Sequence, residues 1–449
     1  MKIQLFETLK LKFDQPNWER DPALGLVDTL LEMNTELIKY VEADITRGSK
    51  QSDFGRKDVP SVEQIFRAAI YKELKQLEYR DLEYHQTDSR ICAHFIKTDE
   101  LRPYSFQMYH KYISQIKAEN LQKLMVAINQ IAITAGLEDI EKLRQDSTIV
   151  ETDIHYPTNN SLVWDCIKES HRLLEHLKEE IENLDYRDYT KTAKKTYFKI
   201  NNTKSGDKRT DLFKSQLITF TKCINQVSNV IKKKHNCSLA ATAIIMQLEH
   251  HLPVMQKVYD MTEQHEIKKE TVANAEKLFS IYEPHTDIIV KGSREVQFGH
   301  KINLATGKSN LILSCEILKG NPSDKELFQP TIEKVITDYQ KIPRDSATDG
   351  GYATKQNGEF AKAKGIINVV FNKVTGSLKN TVSSLSIETR LKKWRSGIEA
   401  NISNLKRGYN LQRCNWKGFE HFCSKVMWSV IAYNIRVMTS AILQQIKEV

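Results

Sequence analysis

The order of strand-like and helical segments is the feature that most constrains the fold of this chain. Residues 147–156 (STIVETDIHY) are rich in β-branched side chains, which predicts a strand that ends before Pro157. Two more strand-like runs, REVQFGHKINLAT and SNLILSCEIL, follow Pro284. A helix (DKELFQPTIEKVITDYQ), the segment DSATDGGYA, a helix around NGEFAKAKG, the strand INVVFNK and a helical tract from about Ile387, broken near Gly408, come after them.

A helical block at about 163–283 interrupts this order. Without it the segments follow one another as strand, strand, strand, helix, strand, helix, strand, helix. This order predicts an α/β ribonuclease-H-like catalytic domain over residues 139–162 and 284–449, in which a three-stranded meander is extended by parallel strands. Residues 163–283 are then a large, basic helical insertion between the first and second strands.

The N-terminal residues 1–138 predict a separate all-α domain. One helix covers Ser61–Leu77 with Ser61 as its N-cap, a second follows at YRDLEYHQ, and a third begins near Ser105. Three helices with tight turns and basic residues, Arg67 among them, favour a helix-turn-helix-like domain that binds DNA or dimerises. A plain helical scaffold remains an equal alternative.

Composition limits the class of protein. The 449 residues carry a formal charge of +9, which favours an anionic partner, and their number predicts two or three domains. No apolar run of membrane-spanning length and no secretory signal is expected. The seven scattered cysteines contain no C-x-x-C, which argues against a disulfide framework or a zinc ribbon and favours the cytoplasm.

Three acidic residues stand where such a fold could bring them together. Asp146 lies at the start of the first predicted strand, Asp349 at the end of the fourth, just before Gly350-Gly351, and Glu399 on the final helix. Cleavage or joining of a phosphodiester is helped by two Mg²⁺ or Mn²⁺ ions about 3.5–4 Å apart, and hard cations prefer carboxylate oxygens. We therefore expect Asp146, Asp349 and Glu399 to be catalytic and to hold two metal ions.

The sequence around these acids resembles that of DDE-class insertion-sequence transposases. The segments that carry the resemblance are QDSTIVET with IHYPTNNSLVWD, then KGSREVQFGHKINL with ILKGNPSDKEL, and TDGGYA. Arg395, Glu399 and Lys406 reproduce the R-x3-E-x6-K part of a signature of these proteins. The full signature begins with a Tyr three residues before the Arg, where this chain has Lys392, so the role of the tyrosine is unfilled or taken by Trp394.

Helical spacing agrees with the third motif. Arg395, Glu399 and Lys406 are offset by four and seven residues and therefore project from one helical face. We expect Glu399 to bind metal and Arg395, Lys406 and Lys392 to contact DNA. An exposed Arg–Glu ion pair of little energetic consequence is the alternative.

A basic segment lies within the helical block. From Tyr186 to Lys234 thirteen Lys or Arg face only three Asp, and the aromatic residues Tyr186, Tyr189, Tyr197 and Phe198 are interleaved with them. Cations neutralise phosphates and rings stack on splayed bases, so we expect DNA contacts here from Lys194, Lys195 and Lys199. A solvated helical face is the alternative.

The resemblance implies a prokaryotic, cytoplasmic transposase that cuts the terminal inverted repeats of its element and joins the freed 3′-hydroxyls to target DNA. A homodimer on DNA is expected, because two ends must be handled together. No membrane and no nucleotide cofactor are expected, since the GKS string at 307–309 lacks the upstream glycine of a P-loop. Two alternatives stay open: a metal-dependent nuclease of the same fold without strand transfer, and a non-catalytic DNA-binding protein derived from a transposase.

Overall fold

The computed structural model describes residues 18–48, 59–99, 102–233, 238–291, 295–373 and 379–448. The chain divides into two compact units. One contains Met1–Glu151 and Lys301–Val449, and the other contains Thr152–His300.

Within the described residues, seven α-helices precede the first strand. They are α1 (Pro22–Met33), α2 (Lys39–Ile45), α3 (Val62–Lys75), α4 (Tyr79–Asp88), α5 (Arg90–Ile96), α6 (Phe106–Ile113) and α7 (Ala118–Thr134). The predicted N-cap of α3 is confirmed: Ser61 accepts from the backbone N–H of Gln64, and the Gln64 side chain accepts from the backbone N–H of Ser61. This reciprocal capping satisfies two donors that the first turn would otherwise leave unpaired.

Seven strands form one sheet within the described residues. They are β1 (Lys142–Thr152), β2 (Asp287–Lys291), β3 (Glu295–Thr306), β4 (Ile312–Ile317), β5 (Asp345–Thr348), β6 (Asn368–Phe371) and β7 (Arg413–Cys414). The order is β2-β3-β1-β5-β6, with β4 on β3 and β7 on β1. The β2–β3 and β3–β4 pairs are antiparallel, and β5 pairs in parallel with both β1 and β6. This mixed sheet is compatible with a ribonuclease-H-like domain.

One predicted strand boundary is wrong, and one strand is missing from the prediction. β1 begins at Lys142, five residues before the predicted start, so Asp146 lies inside the strand and not at its beginning. β2 was not predicted at all, and it forms a hairpin with the first half of β3 in the Thr152–His300 unit. The first residue of the predicted run REVQFGHKINLAT, Arg294, lies outside the described residues.

Five further α-helices of the larger unit lie in the described part of the chain. They are α12 (Asp324–Tyr339), α13 (Lys355–Ala363), α14 (Leu385–Arg395), α15 (Gly397–Gly408) and α16 (Phe419–Glu448). Helix α16 is buried along much of its length and is tied to the sheet by Asn434, whose Oδ1 accepts from the backbone N–H of Ile312 in β4. Helices α7 and α3 pack against α16 as well.

The N-terminal helices therefore share one hydrophobic core with the sheet. Leu124 and Ile128 of α7 belong to the same buried cluster as Trp428 and Ile431 of α16 and Leu304 of β3. A separate N-terminal domain over residues 1–138 is not confirmed.

Arg67 has a structural position that sequence reasoning did not anticipate. Its side chain is only 1% exposed and forms ion pairs with Asp28, Glu32 and Glu63 at 2.6–2.9 Å. The expectation that Arg67 adds to a basic DNA-facing surface is wrong, because its charge is neutralised by three carboxylates inside the helical layer.

One helix of the described residues is long and apolar enough to cross a membrane. It covers Phe419–Ile446 with a mean hydropathy of 1.4, and 67% of its most apolar window is buried inside the protein. The expectation that no apolar run reaches this length is thus wrong, although core helices of soluble proteins meet the same criterion.

The Thr152–His300 unit contains α8 (Asn159–Glu180), α9 (Thr190–Asn201), α10 (Asp207–Lys232) and α11 (Leu239–Thr262). These helices bury a core of their own, which includes Leu174, Phe220 and Leu248. A capping box made by Thr158 and Ser161 begins α8 immediately after Pro157.

Candidate active site

Parallel pairing of β1 and β5 places Asp146 and Asp349 next to each other. Gln145 pairs with Thr348, and each is followed by an aspartate: Asp146 within β1, and Asp349 directly after the end of β5. Adjacent strands lie about 4.8 Å apart, and equivalent positions of a parallel pair share a face. The strand order that the sequence predicted thus brings the first two acids to one edge of the sheet.

The guanidinium of Arg395 lies among all three predicted carboxylates. Its Nη2 is 2.9 Å from Asp146 Oδ2, and its Nη1 is 3.2 Å from Glu399 Oε1 and 4.0 Å from Asp349 Oδ1. Three acids from separate parts of the chain therefore converge on one cation. An isolated Arg–Glu pair on an exposed helix, the alternative for this motif, does not account for the contacts with the two aspartates.

Solvent access increases from the guanidinium outward. The side chains of Arg395 and Asp146 are 8% and 19% exposed, whereas those of Asp349 and Glu399 are 46% and 66% exposed. The carboxylates thus form an open rim over a buried positive charge. Such a rim is accessible to a large polyanion or to hydrated cations.

The final helical tract is broken within the signature. α14 ends at Arg395 and α15 begins at Gly397, so one continuous helix from Ile387 to Gly408 is wrong. Ser396 nevertheless keeps helical dihedral angles, with φ −60° and ψ −22°. The Arg395–Glu399 contact at i,i+4 survives for this reason.

Arg144 is a residue of this region that sequence reasoning missed. Its side chain is buried and donates to Thr306 Oγ1, to the carbonyl oxygen of Trp394 and to Asn310 Oδ1. The guanidinium also lies 4.7 Å from the centre of the Trp394 ring. Arg144 therefore joins β1 to the end of α14, and the only sequence signal for it is its position two residues before Asp146.

Asp324 and Lys301 were missed as well. Ser147 donates from its backbone N–H to Asp146 Oδ1 and from its hydroxyl to Asp324 Oδ1. Lys301 Nζ lies 2.6 Å from the same Asp324 oxygen and is 7% exposed. A fourth carboxylate, already paired with a lysine, is thus linked to the site through Ser147, and its location at the first turn of α12 was the available signal.

The loop after β5 is tightly packed. A Cβ on Gly350 would lie 2.7 Å from the carbonyl oxygen of Asn372, so the glycine lets the chain pass the end of β6. Tyr352 is fully buried and donates to Asn303 Oδ1 at 2.7 Å. Burial raises the pKa of the Tyr352 hydroxyl, and the charges of Asp324 and Asp146 raise this pKa further, so the hydroxyl stays protonated as a donor.

The other signature positions have different surroundings. Lys392, which stands in place of the tyrosine, pairs with Glu388 at 2.7 Å and is 40% exposed. Trp394 packs against Ala347, Val370 and Leu391. Lys406 lies on α15 two turns beyond Glu399 and is partly exposed. DNA contacts by Lys392, Lys406 and Arg395 remain predictions.

The basic segment lies in the Thr152–His300 unit. Lys194, Lys195 and Lys199 are exposed on α9, while Ala193 and Ile200 on its other side are buried. Phe198 is 52% exposed, whereas Tyr197 stacks on Trp164. Lys234, the last cation of the predicted basic segment, lies outside the described residues. DNA binding by this surface remains a prediction.

The donor set suits a hard divalent cation, since all three acids supply oxygen. As arranged around Arg395, however, the described residues contain no group of three or more His, Cys, Asp or Glu side chains positioned to hold a metal ion. The carboxylates are gathered by a guanidinium in this conformation.

Comparison with known proteins found one matching family. Residues 290–435 match the family model described as the transposase DDE domain. The matched segment contains Asp349, Arg395 and Glu399 but not Asp146, and it confirms the predicted resemblance to DDE-class transposases. Comparisons with curated proteins and with solved structures gave no match.

Proposed function

We propose that this chain, whose residues 290–435 form a transposase DDE domain, cuts the ends of a mobile DNA element and joins the freed 3′-hydroxyls to target DNA. The single observation that carries the proposal is the convergence of Asp146, Asp349 and Glu399 on the Arg395 guanidinium. The three carboxylates come from β1, from the residue after β5 and from α15, and their combined negative charge suits the binding of cations.

The three carboxylates would hold two Mg²⁺ or Mn²⁺ ions. Bound there, the ions would supply activation of the attacking oxygen and stabilisation of the leaving oxygen in an in-line displacement. Asp146 lies within β1, Asp349 directly follows β5, and Glu399 lies in the first turn of α15. The side chains of Asp349 and Glu399 are the more exposed of the three, at 46% and 66%.

Basic surfaces of both units would bind DNA. Lys194, Lys195 and Lys199 on α9, and Lys392 and Lys406 on α14 and α15, are the proposed phosphate contacts. Because two ends of one mobile DNA element must be handled together, we propose that the chain acts as a homodimer on DNA. The helices of residues 1–138 are the proposed reader of the terminal inverted repeats, and the cytoplasm is the proposed location.

The test is a strand-transfer assay. A duplex that ends in the inverted repeat flanking the gene, with its 3′-hydroxyl already exposed, is incubated with the protein, Mg²⁺ and a supercoiled plasmid. Joined product is expected from the wild type, and a fall of about a hundredfold or more from Asp146→Asn, Asp349→Asn and Glu399→Gln, since each removes one ligand charge.

Glu359→Gln is the matched control. Glu359 is 67% exposed on α13 and lies outside the acid centre, the group formed by Asp146, Asp349 and Glu399. Loss of its charge should leave joining unchanged. Undiminished joining by Asp349→Asn would refute the proposal. Cleavage without joining would instead identify a nuclease, and DNA binding without either reaction a non-catalytic protein.

A further inference from the structure

The position of Arg395 has a consequence for how the acid centre takes up metal. Its guanidinium lies 2.9 Å from Asp146 Oδ2 and 3.2 Å from Glu399 Oε1. A divalent cation would need these same carboxylate oxygens as ligands. A cation between these carboxylates would lie against the positive charge of Arg395, whose side chain is only 8% exposed. Coulomb repulsion at such distances is strong, so the two cations exclude each other.

The present arrangement of Arg395 also leaves one polar group unused. Its Nε is buried and donates to no acceptor among the described residues. A guanidinium carries five N–H groups in a planar fork, and a buried donor without an acceptor is costly. A different partner that engages the fork more fully would therefore compete with the carboxylates.

We infer that Arg395 is an exchangeable counter-ion of the acid centre, which gathers the carboxylates before metal binds and moves to a DNA phosphate when metal enters. The inference rests on the proposed function and concerns the regulation of that same site. A phosphodiester matches the arginine fork and carries the opposite charge. Arg395 is the last residue of α14, so its side chain lies at a helix end.

The exchange couples two ligands. DNA stabilises the outward position of Arg395, so it raises the affinity of the carboxylates for metal, and metal raises the affinity for DNA by the same factor. Without DNA, the affinity of the carboxylates for metal is therefore low. Cleavage of DNA is confined to complexes in which a phosphate already lies beside the acids.

The experiment measures Mn²⁺ affinity of the full chain by calorimetry and electron spin resonance, with and without a duplex oligonucleotide of arbitrary sequence at low salt. For the wild type, the duplex is expected to tighten Mn²⁺ binding by about tenfold or more. Arg395→Gln is expected to bind Mn²⁺ about tenfold more tightly than the wild type without DNA, and to lose most of the DNA effect. Arg395→Lys, which keeps the charge but not the fork, should lie between them.

Arg390→Gln is the control for simple loss of charge, because Arg390 is an exposed cation on the same helix α14. It should leave both the affinity and the DNA effect unchanged. If the Arg395 variants fail to fold, the wild-type measurement alone decides, since the absence of a DNA effect on Mn²⁺ affinity overturns the inference.

Asp349→Asn separates this inference from the proposed function. If Asp349→Asn leaves the Mn²⁺ affinity unchanged in both the wild type and Arg395→Gln, the proposed metal centre is wrong. If Asp349→Asn weakens Mn²⁺ binding, but the wild type and Arg395→Gln bind Mn²⁺ equally strongly, the metal centre is supported and the exchange of Arg395 is overturned.

Discussion

Arg144 Nη1 donates a hydrogen bond to the carbonyl oxygen of Trp394 across 2.6 Å, although the two residues are 250 positions apart. The bond joins the strand that carries Asp146 to the residue immediately before Arg395. Burial, together with the nearby charge of Arg395, lowers the pKa of the Arg144 guanidinium to about 10. Arg144 therefore remains charged at neutral pH, and its charge strengthens the bond that holds α14 in place.

Gly397→Ala should disrupt this connection. A Cβ at residue 397 would come under 3.0 Å from Arg144 Nη1, which real Cβ atoms essentially never do. Arg144 is buried and held by three acceptors, so it can retreat only by breaking its bond to Trp394. We expect a loss of about 1–3 kcal/mol in the free energy of unfolding, measured in urea, together with weaker Mn²⁺ binding.

Gly408→Ala is the matched control at the other end of α15. A Cβ there meets no atom within 4 Å, and alanine favours helix over glycine by up to about 1 kcal/mol. The free energy of unfolding should stay the same or rise. Equal behaviour of the two variants would contradict the role given to the Arg144 contact.

Gly350→Ala should reduce activity more than stability. The added Cβ would lie 2.7 Å from the carbonyl oxygen of Asn372 and 3.1 Å from that of Lys373, and neither backbone group can rotate away. The chain must shift directly after Asp349, and a misplacement of about 1 Å can cost a factor of about a hundred in rate. Strand-transfer rate and the free energy of unfolding are measured on the same preparation.

Gly358→Ala, within α13, supplies the comparison, since its Cβ would meet open space. Its strand-transfer rate should equal that of the wild type. A Gly350→Ala protein that joins DNA at the wild-type rate would show that the loop after β5 tolerates the shift.

Much of the sheet could be predicted because its strands carry local signals. β-branched residues mark β1, β3, β4 and β6. The order of these strands along the chain predicted which of them are neighbours. β2 is only five residues long and was not predicted, although Ile288, Ile289 and Val290 form a β-branched run that is a local strand signal. The start of β1 was misplaced because Arg144 and Gln145 are polar yet buried in the sheet.

The site was predictable to the extent that it follows from strand order. Asp146 and Asp349 meet because β1 and β5 pair in parallel, which the order of elements already implied. The contact of Arg395 with Asp146 depends on how α14 packs, and helical spacing could indicate only the pair with Glu399. Arg144, Asp324 and Lys301 act through contacts distant in sequence, and the local positions of Arg144 before Asp146 and of Asp324 at the start of α12 do not reveal these contacts.

Removal of the α9 lysines should change the salt dependence of DNA binding. Lys194, Lys195 and Lys199 are exposed and take part in no ion pair within the described part of the chain. Each phosphate contact contributes about 0.9 to the slope of log affinity against log salt concentration, so the triple alanine variant should lose about 2.7. Fluorescence anisotropy with a labelled duplex over a series of salt concentrations gives the slope.

Lys214→Ala is the corresponding control in the same unit, because Lys214 is already paired with Asp211 at 3.0 Å. Its slope should equal that of the wild type. An unchanged slope in the triple variant would assign α9 to the solvated face that the sequence analysis left as the alternative.

Glu73 should make the stability of the larger unit depend on acid. Its buried carboxylate on α3 pairs with Lys72 and with Lys425 of α16. Burial alone would raise the pKa of Glu73, but the charges of Lys425 and Lys72 outweigh it and hold this pKa below the ordinary value of 4.5. The unfolded chain therefore binds the proton more tightly, so the stabilising contribution is complete above pH 4.5 and is lost as the pH falls through the lower, folded pKa.

Glu73→Gln should lower the free energy of unfolding at neutral pH by about 3–5 kcal/mol, because two buried lysines lose their partner. Below the folded pKa the wild type also lacks this charge, so the two proteins should converge in stability as the pH falls. Urea unfolding at several pH values from about 7 to about 3 measures the difference. Glu359→Gln, at an exposed position on α13, should parallel the wild type throughout, and a Glu73→Gln curve that does the same would show that the buried pair contributes nothing.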